Sequence, residues 1–278
     1  MTEPALKPDP LVGKRLRAYR IQEPIGVSRW GKVYRAFQSS MSRTVAVRVL
    51  SPQVAALPGK TEQFLEETRV EARLIHPHLV LIYEAGQAEG TYFCAMEYMD
   101  GPPLREFLRS GNEVNEHRLL QTIMGVARAL DFLWRRNVQH QPPLEKNVLT
   151  ATDGSVKLIN FEPVEMAPSQ SQQEDLLRLG LMAATLANDI APVSRPVSRF
   201  VERMLGAAGH ELFGSLAEVA DAAEALDHKL SSRTEPTEPR ARKIGTRRCS
   251  LLTLIIVGLL ALLFGMAIGW YLCRMLSH

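Results

Sequence analysis

The stretch ALDFLWRRNVQHQPPLEKNVLTATDGSVKLINFE, residues 129–162, decides how the chain is read. It begins with the apolar end of a helical segment. A polar loop broken by prolines follows, from His140 to Asn147. Two short β-branched runs then flank Asp153-Gly154, a dipeptide that favours a tight hairpin turn, and the stretch closes on Asn160-Phe161-Glu162. The order is helix end, loop, strand pair and turn, and the side chains capable of chemistry sit in the loop and the turn.

Upstream, residues 19–25, 31–37 and 44–50 are β-branched or alternating runs, split by a Gly/Ser loop and a polar turn at 38–43; residues 79–84 and 91–97 read as two further strands. This spacing predicts an antiparallel sheet. Residues 62–75 predict a helix with apolar Phe64, Leu65, Val70, Ala72, Leu74 and Ile75, stopped by His76-Pro77. Downstream, residues 116–136 place Leu119, Ile123, Ala127, Leu130 and Trp134 on one core face, and residues 174–187, 197–208 and 215–229 carry similar stripes. Strands first and helices afterwards predict an α+β body.

At 278 residues with 46% hydrophobic content, the chain can bury a substantial core. Its formal charge of +3 is unevenly spread: residues 1–230 hold 26 Lys+Arg against 28 Asp+Glu, and residues 231–278 hold 7 against 2. The near-neutral body argues against a nucleic-acid surface. Cys94 lies in an apolar strand, and Cys249 and Cys273 flank an apolar tail, so no disulfide framework is implied and a reducing compartment fits.

In their order, these motifs resemble the protein kinase superfamily, in its bacterial serine/threonine form, over roughly residues 19–230. The resemblance implies a two-lobed α+β kinase-like fold. Its N-lobe, residues 19–99, would be an antiparallel sheet plus one helix, and its C-lobe, residues 100–230, a shortened helical body. IGVSRWGKVY (25–34) resembles the glycine-rich loop that lets backbone approach nucleotide phosphates, with Gly26 and Gly31 kept and Ser28 at the middle position. VAVRVL (45–50) resembles the Val-Ala-Ile-Lys strand, with Arg48 at the position of the phosphate-pairing lysine. Arg48 keeps the charge but not the compact shape of an ammonium. Glu67 is at the position expected of the helix carboxylate that pairs with this cation; equally, it can be one of several acids on a solvated face.

The resemblance also implies a nucleotide cleft. Met96 would guard its back, the backbone of Glu97 to Met99 would meet an adenine edge, and Val33, Ala46 and Leu149 would sandwich the base. The same apolar residues also suit a plain core. Trp30, at the loop tip, is a candidate to plug the pocket.

The chemistry departs from the pattern at several positions. His140-Gln141-Pro142 stands where His-Arg-Asp belongs, and Pro142 can neither accept a proton nor donate from its backbone. Leu144 replaces the loop lysine. Asn147 is kept, and Asn160 takes the position of the metal-binding aspartate, where Mg²⁺ prefers a carboxylate. Only fourteen residues separate Asn160 from Asp175, without an Ala-Pro-Glu anchor. Asp175 is either an acid that organises the catalytic loop or a carboxylate at a helix N-terminus. These departures predict a pseudokinase that regulates or scaffolds partners, without a certain cofactor. The alternative is a divergent serine/threonine kinase with ATP binding, with or without Mg²⁺, and weak transfer.

Residues 1–18 are proline-rich and charged, are expected to be flexible, and lack the apolar core of a secretory leader. Residues 231–250 read as a basic flexible linker. Residues 251–272 are 22 residues without a charge, enough at about 1.5 Å per residue to cross a hydrocarbon layer of about 30 Å. Six basic residues precede this span and only Arg274, in the short 273–278 tail, follows it. The bias predicts a single-pass membrane protein with its N-terminal body in the cytoplasm, where its protein partners would be. Ala261, Gly265 and Gly269 form a small-residue face suited to a homodimer.

Overall fold

A computed structural model describes residues 9–109, 114–140, 144–151, 153–163, 171–190, 192–209 and 211–232. The described residues all belong to one compact unit. The expected linker from residue 233 onward, the span at 251–272, its face Ala261, Gly265 and Gly269, and Pro142 all lie outside the described residues, while Ser231 still belongs to the last described helix. Among the described residues no helix is long and apolar enough to cross a membrane.

The first half is a six-stranded sheet. β1 (Arg15–Leu16), β2 (Tyr19–Ser28), β3 (Gly31–Gln38) and β4 (Arg43–Val49) follow one another as antiparallel neighbours. After α1 (Pro52–Ala55) and α2 (Lys60–Ala72), β5 (Ile82–Ala88) and β6 (Thr91–Glu97) complete it in the order β1-β2-β3-β4-β6-β5. One face carries a core of Tyr19, Ile21, Tyr34, Val45, Val47 and Phe93. The other is covered by α2, with Trp30, Leu50, Phe64 and Cys94 packed between.

Two sequence expectations change here. Residues 9–18 do not form a flexible lead: Leu16 is buried in β1, Leu11 packs on the sheet core, and Asp9 accepts from Lys32 Nζ at 2.6 Å and Tyr34 Oη at 3.1 Å. The strand expected at 79–84 begins at Ile82 instead. Leu79 bridges to Leu158, and Val80 N–H donates to the Leu158 carbonyl, so the first part of that apolar run joins the second half of the molecule.

The second half is helical around α4 (Glu116–Trp134), whose N-cap Asn115 accepts from Arg118 N–H. Leu119, Ile123, Ala127 and Leu130 are buried as the periodicity predicts. α6 (Gln172–Asn188), α7 (Arg195–Met204) and α8 (Leu216–Ser231) bury Leu179, Phe200 and Val219 in the same core. α6 starts with a reciprocal capping box between Ser171 and Glu174. Between the halves lie α3 (Leu104–Arg109), β7 (Val138–His140), α5 (Leu144–Asn147), β8 (Val148–Thr150), β9 (Val156–Leu158) and β10 (Phe161–Pro163). β8 and β9 are the anticipated hairpin; β7 pairs with β10 and sets Phe161 opposite His140.

Candidate functional site

The two halves bound a cleft of about 900 Å³, within the size range of small-molecule sites. Sheet pairing assembles its upper wall: Gly26 is opposite Val33, Val33 opposite Arg48, and Ala46 opposite Met96. Ala46, Val80, Met96 and Met99 form an apolar cluster with Val33, Leu149 and Ile159. Of the residues expected to bind a nucleotide, Gly26, Ser28, Val33, Ala46, Arg48, Met96, Glu97, Met99 and Leu149 line the cleft. Gly31 does not. A Cβ on Gly31 would lie 2.4 Å from the Val49 carbonyl oxygen, so this glycine serves the close approach of two strands. A Cβ on Gly26 would meet nothing within 4 Å, leaving open space beside the backbone at the cleft wall.

The loop between β2 and β3 is a tight turn. Ser28 Oγ donates to the Gly31 carbonyl at 2.9 Å and accepts from Trp30 N–H. Trp30 does not plug the cleft. Its ring is buried edge-on against Phe64 at 5.6 Å, and its Nε1 donates to Glu67 at 3.2 Å. A buried indole N–H needs an acceptor, and α2 supplies it outside the cleft.

The helix carboxylate that pairs with Arg48 is Glu71, not Glu67. Arg48 Nη1 and Nη2 reach the two Glu71 oxygens at 3.3 and 2.5 Å, and both side chains are 6% exposed. Glu67, one helical turn earlier, bonds Arg29, Trp30 and Gln63 and thereby ties the loop tip to α2. Four residues of helix separate the two acids by about 6 Å along the axis, and it is the second that bonds Arg48. Burial alone would depress the Arg48 pKa, but the Glu71 carboxylate, with Cys94 and Glu67, raises it above the ordinary arginine value.

The lower wall carries the loop and turn of the opening stretch. Asn147 is buried, Asn160 is half-buried in a left-handed conformation with φ of 59°, and Asn160 Nδ2 donates to Asn147 Oδ1 at 2.8 Å. The two side chains expected to hold a metal therefore hold each other. Mg²⁺ needs several hard oxygen ligands and favours carboxylates. The carboxylates of the lining are Glu71, bound to Arg48, Glu97, bound to Lys157 at 2.9 Å, and Asp100 and Glu106, near where the chain leaves the sheet. Among the described residues no three His, Cys, Asp or Glu side chains gather as a metal site. The donor set of the described side chains does not fit Mg²⁺.

His140, opposite Phe161 in the β7–β10 register, is buried, with Nδ1 3.6 Å from Asp175 Oδ1 and neither ring nitrogen hydrogen-bonded. Burial holds its pKa below the ordinary value, against the opposing charge of Asp175. Asp175 is buried and accepts from Trp134 Nε1 at 2.8 Å and Arg178 Nη1 at 3.1 Å. It ties α4 to α6 through side chains. The Leu144 side chain lies outside the described residues. Lys146, which sequence reasoning passed over, is exposed and lines the cleft; its adjacency to Asn147 was the only signal.

The comparisons with known proteins agree with this geometry. The family profile described as Protein kinase domain matches residues 19–185. A probable serine/threonine-protein kinase of Streptomyces coelicolor is 31% identical over 147 residues, covering 51% of this chain and 22% of that protein. Serine/threonine-protein kinase pkn3 of Myxococcus xanthus is 30% identical over 183 residues, covering 64% of this chain and 34% of that protein. The match thus spans about a third or less of either relative. The kinase domain of Mycobacterium tuberculosis PknI superposes with a TM-score of 0.56 at 26% identity, over 77% of this chain and 98% of that one. With a family match over more than half its length and the two-lobed architecture behind it, the chain belongs to the protein kinase domain family, in its bacterial serine/threonine form.

Proposed function

We propose that this chain is a nucleotide-binding pseudokinase that regulates or scaffolds signalling partners at the cytoplasmic face of a membrane, anchored through residues 251–272. The hydrogen bond between Asn147 and Asn160 carries the reading: it joins two neutral amides where phosphoryl transfer needs a metal held by anionic oxygen. Pro142 in the loop, which cannot act as a base, supports it from the sequence. The open cleft and its apolar walls support retained nucleotide binding. The uncharged run at 251–272 and its basic flank support the anchor.

A second reading, a divergent serine/threonine kinase with weak transfer, draws on the assembled Arg48–Glu71 pair, since a pair of this kind accompanies active kinases. Incubation of the full chain with γ-labelled ATP, Mg²⁺ or Mn²⁺ and a generic acceptor protein separates the two. The pseudokinase reading expects no label above the level of a chain carrying Asn147→Ala and Asn160→Ala. Labelling that those two changes abolish would establish the kinase instead.

A further inference from the structure

We infer that the cleft binds the phosphate groups of its nucleotide without a divalent cation, and that Lys146 supplies the positive charge a metal would otherwise bring. This inference rests on the nucleotide-binding reading above and adds the chemical form of the ligand, a free nucleoside polyphosphate anion.

Three cations line the cleft. Arg48 is committed to Glu71 through both terminal nitrogens. Arg105 stands on α3 beside Glu106 and near Asp100, where the chain leaves the sheet. Lys146 is on α5, next to Asn147 in sequence, and lines the same cleft as the amide pair; it is exposed and has no carboxylate in an ion pair among the described residues. Among the described side chains, the metal-binding end of the cleft therefore offers one ammonium and two neutral amides. Among the described side chains there, a divalent cation would meet like charge and no anionic ligand. A polyphosphate would meet an opposite charge, and charge-assisted hydrogen bonds to phosphate oxygens are the stronger kind. Gly26 leaves the opposite wall without a side chain in the way.

The test is calorimetry on the full chain, kept in mild detergent, with adenosine and with ATP, in Mg²⁺ and in EDTA, for the native chain and for Lys146→Ala and Lys146→Arg. The expected result is that ATP binds at least as tightly in EDTA as in Mg²⁺. Lys146→Ala should weaken ATP roughly tenfold, the size expected of one hydrogen bond to a charged group. Lys146→Arg should retain most of the affinity. Adenosine should bind all three chains alike, which also shows that the variant clefts are intact. ATP binding that collapses in EDTA, or that Lys146→Ala leaves unchanged, would overturn the inference while adenosine binding kept the nucleotide reading. Failure of both adenosine and ATP to bind would remove that reading and the phosphate site together.

Discussion

Beside β4 the cleft is closed by a buried charged pair, Arg48 and Glu71; beside β10 it is closed by a neutral one, Asn147 and Asn160. Both members of the charged pair are buried, whereas of the amides Asn147 is buried and Asn160 half-buried. A buried guanidinium must keep its partner whether or not the cleft does chemistry, because an unpaired charge there is costly. Neutral amides carry a weaker constraint, the loss of a hydrogen bond and not of a charge pair. The contrast separates what burial enforces strongly from what phosphoryl transfer would require: the first end is held by the electrostatics of burial, the second by a weaker hydrogen bond between amides.

Removing one carboxylate from each position on α2 tests the first half of that contrast. Glu71→Ala strands Arg48 and should cost about 3–5 kcal/mol of stability, the usual penalty for breaking a buried pair. Glu67→Ala leaves the Trp30 indole without its acceptor but lets the more exposed Arg29 turn to solvent, so the cost should be about 1–3 kcal/mol. Urea denaturation of both variants gives the order directly. A larger loss for Glu67→Ala would mean that the loop tether, not the Arg48 pair, holds the sheet and α2 together.

The neutral end should respond in binding instead of stability. Asn160→Asp places a carboxylate beside Asn147, whose amide can turn to donate to it, and creates the anionic oxygen that Mg²⁺ favours. ATP affinity should then become metal-dependent, with Mg²⁺ strengthening it by about tenfold, or ~1.4 kcal/mol, while the denaturation midpoint moves little. Metal-independent ATP binding by this variant would show that more than one oxygen separates the native site from a metal site.

Much of this was legible in the sequence wherever burial and hydrophobicity coincide. α4 is the clear case, since its buried face is apolar at three- and four-residue spacing. α2 was misread for the opposite reason. Its buried residues are Phe64, Glu67, Thr68 and Glu71, while Ile75, counted in the apolar stripe, lies beyond the helix and is 72% exposed. A charged buried face has no apolar period to reveal it, and acids four residues apart share that face, so position alone pointed to Glu67 and missed Glu71. The run LVLIY read as one strand because hydropathy does not say which partner each residue serves; Leu79 and Val80 serve β9 and Ile82 serves β6. Trp30 was assigned to the cleft because loop position was legible and the acceptor its indole needs was not. The cleft-lining residues were found through motif order, which fixes sheet register; Lys146 was missed because it belongs to none of the motif positions.

The smallest predicted effect lies at the seam between the two ends. His76 and His78 link α2 to β9: the Leu158 N–H donates to the His78 carbonyl at 2.8 Å, His78 Nδ1 lies 3.1 Å from the Val156 carbonyl, and the His78 N–H donates to His76 Nδ1 at 3.2 Å. That last bond requires an unprotonated His76 Nδ1. Burial, then the neighbouring His78 and the cations Lys157, Arg128 and Arg136, push the His76 pKa from 6.5 down to about 4. Between those values the unfolded chain takes up a proton that the folded chain refuses, so this group's contribution to stability is present above 6.5, declines as pH falls through the window, and is fully lost below about 4. His76→Gln removes the titration. Denaturation curves across the window should therefore show the native chain losing more stability on acidification than the variant. Parallel curves would place the acid sensitivity elsewhere, and the buried His140 beside Asp175 would be the next residue to substitute, because its pKa is held low by the same physical cause.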